Sequence, residues 1–94
     1  MSYEVPRMAR RINREVRPLL ILSPSGNALA FSHYLKPSTH LYFKERPTPF
    51  VVPTGFSAVF VHMPYDANRV GFNRGKYALS LIDKRGGLWK ITPR

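Results

Sequence analysis

The chain has no cysteine, a single tryptophan, five acidic residues in ninety-four, and no long apolar run. Each shortage removes a class of protein. Without cysteine there is no disulfide framework, no zinc ribbon and no thiol nucleophile, and the chain suits a reducing compartment. A membrane-spanning helix needs roughly 18 consecutive apolar residues, and the tracts Leu19–Leu22 and Phe56–Met63 are far shorter. The N-terminal arginines have no apolar stretch of secretory type behind them, so no signal peptide is read and a cytoplasmic location is expected. The few carboxylates are scattered, which leaves no cluster for metal-dependent phosphate chemistry.

Basic charge is what the chain has in excess. Fifteen Lys and Arg against five Asp and Glu give a net charge of +10. Such a surface attracts polyanions at long range and loses that attraction as salt rises. Ten of the fifteen are arginine, whose planar guanidinium suits phosphates and stacked bases, and equally the carboxylates of a protein partner. Hydrophobic residues at 44% and aromatics at 13% suffice for one folded core, so residues 1–94 are expected to form a single domain.

The stretch Phe56–Met63, bounded by Gly55 and Pro64, combines aromatic and β-branched residues without charge and reads as a buried strand. Phe56, Ala58 and Phe60 fall on one face and Val59, Val61 and Met63 on the other. A strand apolar on both faces belongs in the centre of a sheet.

Before it, residues 1–17 read as an amphipathic helix. Val5, Met8, Ile12 and Val16 share a stripe, Pro6 suits the first turn, and Pro18 closes the segment. Leu19–Leu22 and Ala28–Leu35 read as strands of a hairpin, the second because Leu29, Phe31, His33 and Leu35 alternate with smaller or polar residues. The turn between them is Ser23–Asn27. A further turn, Lys36–His40, leads to a short strand over Leu41–Lys44. Pro47, Pro49 and Pro53 make the segment 46–55 an edge or covering loop. Tyr65–Lys76 reads as a long exposed loop, and Tyr77–Ile82 with Leu88–Thr92 as a hairpin whose Trp89 and Ile91 point inward and Lys90 outward. The expected fold is α+β: a small curved, mostly antiparallel sheet or partly open barrel over 19–92, carrying one basic N-terminal helix.

Two basic groups are candidate binding sites. Arg7, Arg10, Arg11 and Arg14 on the helix would neutralise phosphates. Arg69, Phe72, Arg74 and Lys76 in the loop, with Lys84 and Arg85 in the hairpin turn, would grip phosphates and stack a base. Over residues 69–90 six basic side chains oppose Asp83 alone. The glycine spacing matches neither GxxxxGK[ST] nor GxGxxG. Tyr34, Tyr42 and Tyr65 offer stacking faces, although half-buried packing is the commoner use of such tyrosines.

Catalysis finds little support. His33, His40 and His62 have no telling spacing, no serine lies in a GxSxG elbow, and no metal or cofactor is implied. Membrane-surface binding is disfavoured because the helix stripe lacks Trp and Phe. The expectation is a non-catalytic nucleic-acid-binding module, RNA ahead of DNA. The alternative is a virus- or host-encoded inhibitor or adaptor seated on an acidic protein surface, for instance that of a nucleic-acid-processing enzyme. Salt dependence separates the two, steep for nucleic acid and modest for a protein.

Overall fold

The uncharged run at the middle of the chain forms strand Ala58–His62, all of whose residues are buried. In the computed structural model, which describes residues 4–22, 28–43, 52–62 and 76–93, the elements in chain order are α1 (Glu4–Asn13), β1 (Pro18–Leu22), α2 (Ala28–Tyr34), β2 (His40–Phe43), β3 (Ala58–His62), β4 (Tyr77–Asp83) and β5 (Leu88–Pro93). The strands lie in the order β2-β1-β3-β5-β4, which puts β3 at the centre as its composition demands. Strands β1 and β2 and strands β1 and β3 pair in parallel, while β5 runs antiparallel to both β3 and β4. The result is an α+β fold on an open sheet, not a closed barrel, with β2 and β4 as its edges. Among the described residues no helix is long and apolar enough to cross a membrane.

Alternation along the central strands gives the sheet two apolar faces. Leu20, Leu22, Ala58, Phe60 and Leu88 face the helices and close around Val5, Met8, Ile12 and Phe31. Leu19, Ile21, Val59, Val61 and Ile91 face the other way, where Val52 and Phe56 from the segment before β3 and Trp89 from β5 pack on them. Val52 N–H donates to the Tyr77 hydroxyl at 3.1 Å, which ties that segment to β4. Phe56 is held between the His40 ring and the Arg17 guanidinium.

Three expectations need correction. The first helix ends at Asn13 instead of residue 17, and Val16, assigned to its buried stripe, is 82% exposed. A tight turn forms there, Glu15 N–H to Ile12 C=O at 3.1 Å. The Asn13 side chain meanwhile bridges to the end of α2, donating to Tyr34 C=O and accepting from Lys36 N–H, each at 3.0 Å.

The second correction concerns Ala28–Leu35, which is helical over Ala28–Tyr34. The alternation that suggested a strand also contains the pair Phe31 and Leu35, four apart, which a helix directs to one side. Both reach the helix-side core, while Leu29 is 86% exposed. The third follows from the second. Parallel β1 and β2 need a crossover and not a tight turn, and α2 lies within it; the proposed Leu19–Leu22 hairpin partner therefore does not exist. The turn Ser23–Asn27 lies outside the described residues, whereas Thr39 N–H to Lys36 C=O closes the next turn at 3.0 Å. Of the Leu41–Lys44 strand, Leu41 packs on the core and Phe43 is half exposed; Lys44 lies outside the described residues, as do 44–51 and 63–75.

The C-terminal hairpin forms as expected, with an irregularity of consequence. Leu81 pairs with Trp89 but Asp83 pairs with Leu88, so β4 carries one extra residue near its end. Such a bulge re-aims the side chains beyond it. Asp83 thereby shares the helix-facing side with Leu88 instead of pointing away with Leu81. The turn 84–87 closes through Gly87, whose φ of 70° favours glycine. Gly86 rests against Met8: a Cβ there would lie 2.7 Å from the methionine methyl carbon.

Candidate nucleic-acid interface

Helix α1 arises where an apolar stripe of Val5, Met8 and Ile12 recurs at helical spacing, and burial of that stripe on the sheet turns the arginines to its flanks. One flank looks across the sheet towards the β4–β5 hairpin. Arg7, Arg10, Arg11 and Arg14 line a cleft of about 390 Å³ there, with Met8, Ile82, Asp83 and Leu88 on its other walls. Four guanidinium groups thus meet one carboxylate.

They are not equivalent. Arg7 is committed to the fold: its Nε donates to Asp83 Oδ2 at 2.6 Å and its Nη2 to Oδ1 at 2.9 Å. The same Oδ1 accepts Gly86 N–H at 2.9 Å. Arg11 lies 4.0 Å from Glu15, one turn on, and its guanidinium sits 5.9 Å from the Phe60 ring centre. Arg10 and Arg14 are exposed and have no carboxylate partner among the described residues. They carry the charge that remains available.

The hairpin adds to this side. Lys84 and Arg85 are exposed in a turn fastened to α1 by the Asp83–Arg7 pair and the Gly86–Met8 contact, so they lie at the Arg7 end of the cleft. Lys76, exposed just before β4, lies at the opposite end of that strand, roughly 20 Å from the turn at about 3.3 Å per residue. Arg69, Phe72 and Arg74 lie outside the described residues. The helix arginines and the hairpin turn are brought together; Lys76 is set apart from both.

Two contributors stand outside the residues singled out from the sequence, although Lys90 is one of the six basic side chains counted over 69–90. Ser80 and Lys90 pair in register with each other and with Phe60, so both stand on the helix side of the sheet beside the cleft. The alternation around Trp89 and Ile91 contained this signal for Lys90. The Asp83 clamp had no local signal, because its partner is 76 residues away. Tyr34 and Tyr42, both partly exposed, lie on α2 and on the far edge strand β2, away from the hairpin. Tyr65 lies outside the described residues. On the opposite sheet face a second cleft of about 360 Å³, lined by Val52, Phe56, Val59 and Tyr77, has no charged side chain among its described lining residues and does not suit a polyanion.

The Arg7 guanidinium, by hydrogen bonding, holds the Asp83 carboxyl below its ordinary range, with the Gly86 N–H assisting against partial burial. The carboxylate therefore stabilises the fold above the unfolded-state value near 3.8, and that stability is lost as pH falls through the lower folded-state value. Asp83→Asn is expected to cost about 1 kcal/mol at neutral pH, a figure reduced for solvent screening. Urea midpoints at pH 7 and pH 3 check it: the gap between wild type and variant should narrow on acidification.

His62 titrates in a different window. It is 2% exposed, edge-on to Phe31 at 5.1 Å between ring centres, and its Nδ1 has no hydrogen-bond partner among the described residues. Burial lowers its pKa, opposed by hydrogen bonding with the Gly86 backbone and by the Glu4 charge. Below about pH 6.5 the unfolded chain takes up a proton that the folded chain refuses, so stability declines as pH falls until the folded-state pKa is reached. His62→Phe should flatten denaturation midpoints between pH 7 and 5; an unchanged slope would contradict a neutral buried imidazole. Among the described residues no group of three His, Asp or Glu could hold a metal ion.

No family model, no curated protein and no solved structure matches this chain.

Proposed function

We propose that this protein is a non-catalytic nucleic-acid-binding module, with RNA preferred to DNA, that engages phosphates through the α1 arginines and the adjoining hairpin turn. The observation that carries the reading is the convergence of Arg7, Arg10, Arg11 and Arg14 on one cleft with a single opposing carboxylate. Four of the fifteen basic side chains share this one concave side, a local concentration that solubility alone does not require. Within it Arg10 and Arg14 make the phosphate contacts, Arg11 supports them with part of its charge already answered, and Arg7 positions the hairpin. Lys84 and Arg85 extend the positive surface beyond the Arg7 end.

The test is binding of short labelled RNA, single-stranded DNA and duplex DNA across a salt series. Submicromolar affinity that falls steeply with salt supports the reading, because each neutralised phosphate releases counterions. Absence of binding at low salt would overturn it, and a pulldown would then seek an acidic protein target. Asp83→Asn gives an independent check. Removal of the only carboxylate that lines the cleft among the described residues should tighten binding while it weakens the fold, a pair of opposite signs that general destabilisation does not produce.

A further inference from the structure

The geometry points to a more specific ligand: we infer that the groove between α1 and the β4–β5 hairpin accepts an extended single strand, phosphates along the helix and bases over the sheet. The inference rests on the nucleic-acid reading and goes beyond it, since that reading is indifferent to whether the ligand is paired.

Three observations carry it. First, α1 is laid flat. Met8, Ala9 and Ile12 are buried, and the hairpin turn is fastened alongside the helix through Asp83 and Gly86. A helix that reads a duplex groove about 12 Å wide presents an unobstructed face to it. This one is flanked by the hairpin on the side where its arginines converge.

Second, the helix-side core occupies one half of the sheet, and on the other half Ser80 is exposed and Ala78, Lys90 and Thr92 are partly exposed. The helix-side core gathers β1, β3 and the start of β5 beneath α1 and α2. Beyond it, the same face of β4 and β5 presents Ser80 opposite Lys90 and Ala78 opposite Thr92. These side chains are small or polar and form a low shelf at the foot of the arginine wall. Ser80 and Thr92 bring hydroxyls and Lys90 an ammonium, the groups that meet the edges of unpaired bases.

Third, the dimensions agree. Arg7 and Arg11 are four residues apart within α1, about 6 Å at the helical rise, Arg14 follows just past the helix end, and the cleft they line holds about 390 Å³. That is room for a nucleotide or two in a row, not for the girth of a double helix. Among the described residues no aromatic side chain is exposed on this shelf, so base stacking falls to the guanidinium planes, a role arginine fills in single-strand recognition. The Arg7–Asp83 pair, its charges already mutually answered, marks one end, and the strand runs from Arg10 and Arg11 past Arg14 and over Lys90.

The experiment measures affinity for an eight-nucleotide single strand and for a duplex of equal phosphate number, with wild type and with Lys90→Gln and Ser80→Ala. The single strand is expected to bind at least tenfold tighter. Lys90→Gln should weaken it several-fold, with little change for the duplex and with the thermal midpoint preserved. Equal or tighter duplex binding, or no effect of either shelf substitution on the single strand, overturns the inference while the nucleic-acid reading stands. Failure of both ligands to bind at low salt removes the reading and the inference together.

Discussion

Phe60→Ala is expected to cost about 3–5 kcal/mol, the range for emptying a fully buried phenylalanine site. That is a large part of the total stability of a domain, about 5–15 kcal/mol. Phe60 is entirely buried, on the central strand. It belongs to the cluster that unites α1, β1, α2, β3 and β5. Its ring also lies under the Arg11 guanidinium. Its removal therefore loosens the packing that holds α1 on the sheet and the platform beneath one cleft arginine. The measurement is equilibrium urea unfolding, with Leu81→Ala as control. Leu81 is 45% exposed on the edge strand, where substitutions are usually within about 0.5 kcal/mol. Similar losses for the two variants would contradict the central place given to β3.

The second large effect concerns binding. Arg10→Ala combined with Arg14→Ala should weaken nucleic-acid affinity at least tenfold at moderate salt and leave the fold intact, since neither side chain has an ion-pair partner among the described residues. The salt dependence is the sharper readout. Loss of two phosphate contacts reduces the slope of log K against log salt by about 1.4 for a single strand, at about 0.7 for each contact. Arg7→Ala is the necessary contrast. Its guanidinium is bound twice to Asp83, so it should disturb stability as well as affinity. An unchanged slope in the double variant would show that α1 does not face phosphates.

Much of the architecture is legible in the chain, and the legible parts are local. Phe56–Met63 is apolar on both faces, and its core, β3, takes the centre of the sheet. Tyr77–Ile82 and Leu88–Thr92 flank a glycine-containing turn and form a hairpin. Val5, Met8 and Ile12 at helical spacing lie on the core. The same reading fails where one pattern serves two structures. Leu29, Phe31, His33 and Leu35 alternate as a strand would, yet Phe31 and Leu35 also satisfy a helix. Val16 continues the α1 stripe arithmetically, but the chain has already turned at Asn13 to reach Pro18.

The candidate site divides in the same way. Its arginines are evident from composition and from their place on an amphipathic helix. Their unequal roles are not: the bulge in β4 directs Asp83 to Arg7, and the register of β5 places Lys90 on the helix side.

The sequence by itself determined the excess of positive charge, the apolar stripe of α1, the buried central strand and the terminal hairpin. Each of these depends on residue chemistry at short spacing. Only the tertiary structure decided that Ala28–Tyr34 is a helix, that β1 lies parallel to both its neighbours, and which arginines retain uncompensated charge. Local helix and strand preferences differ by less than about 1 kcal/mol per residue. The burial of Phe31 and the pairing of groups 76 residues apart act across the whole fold and prevail over them.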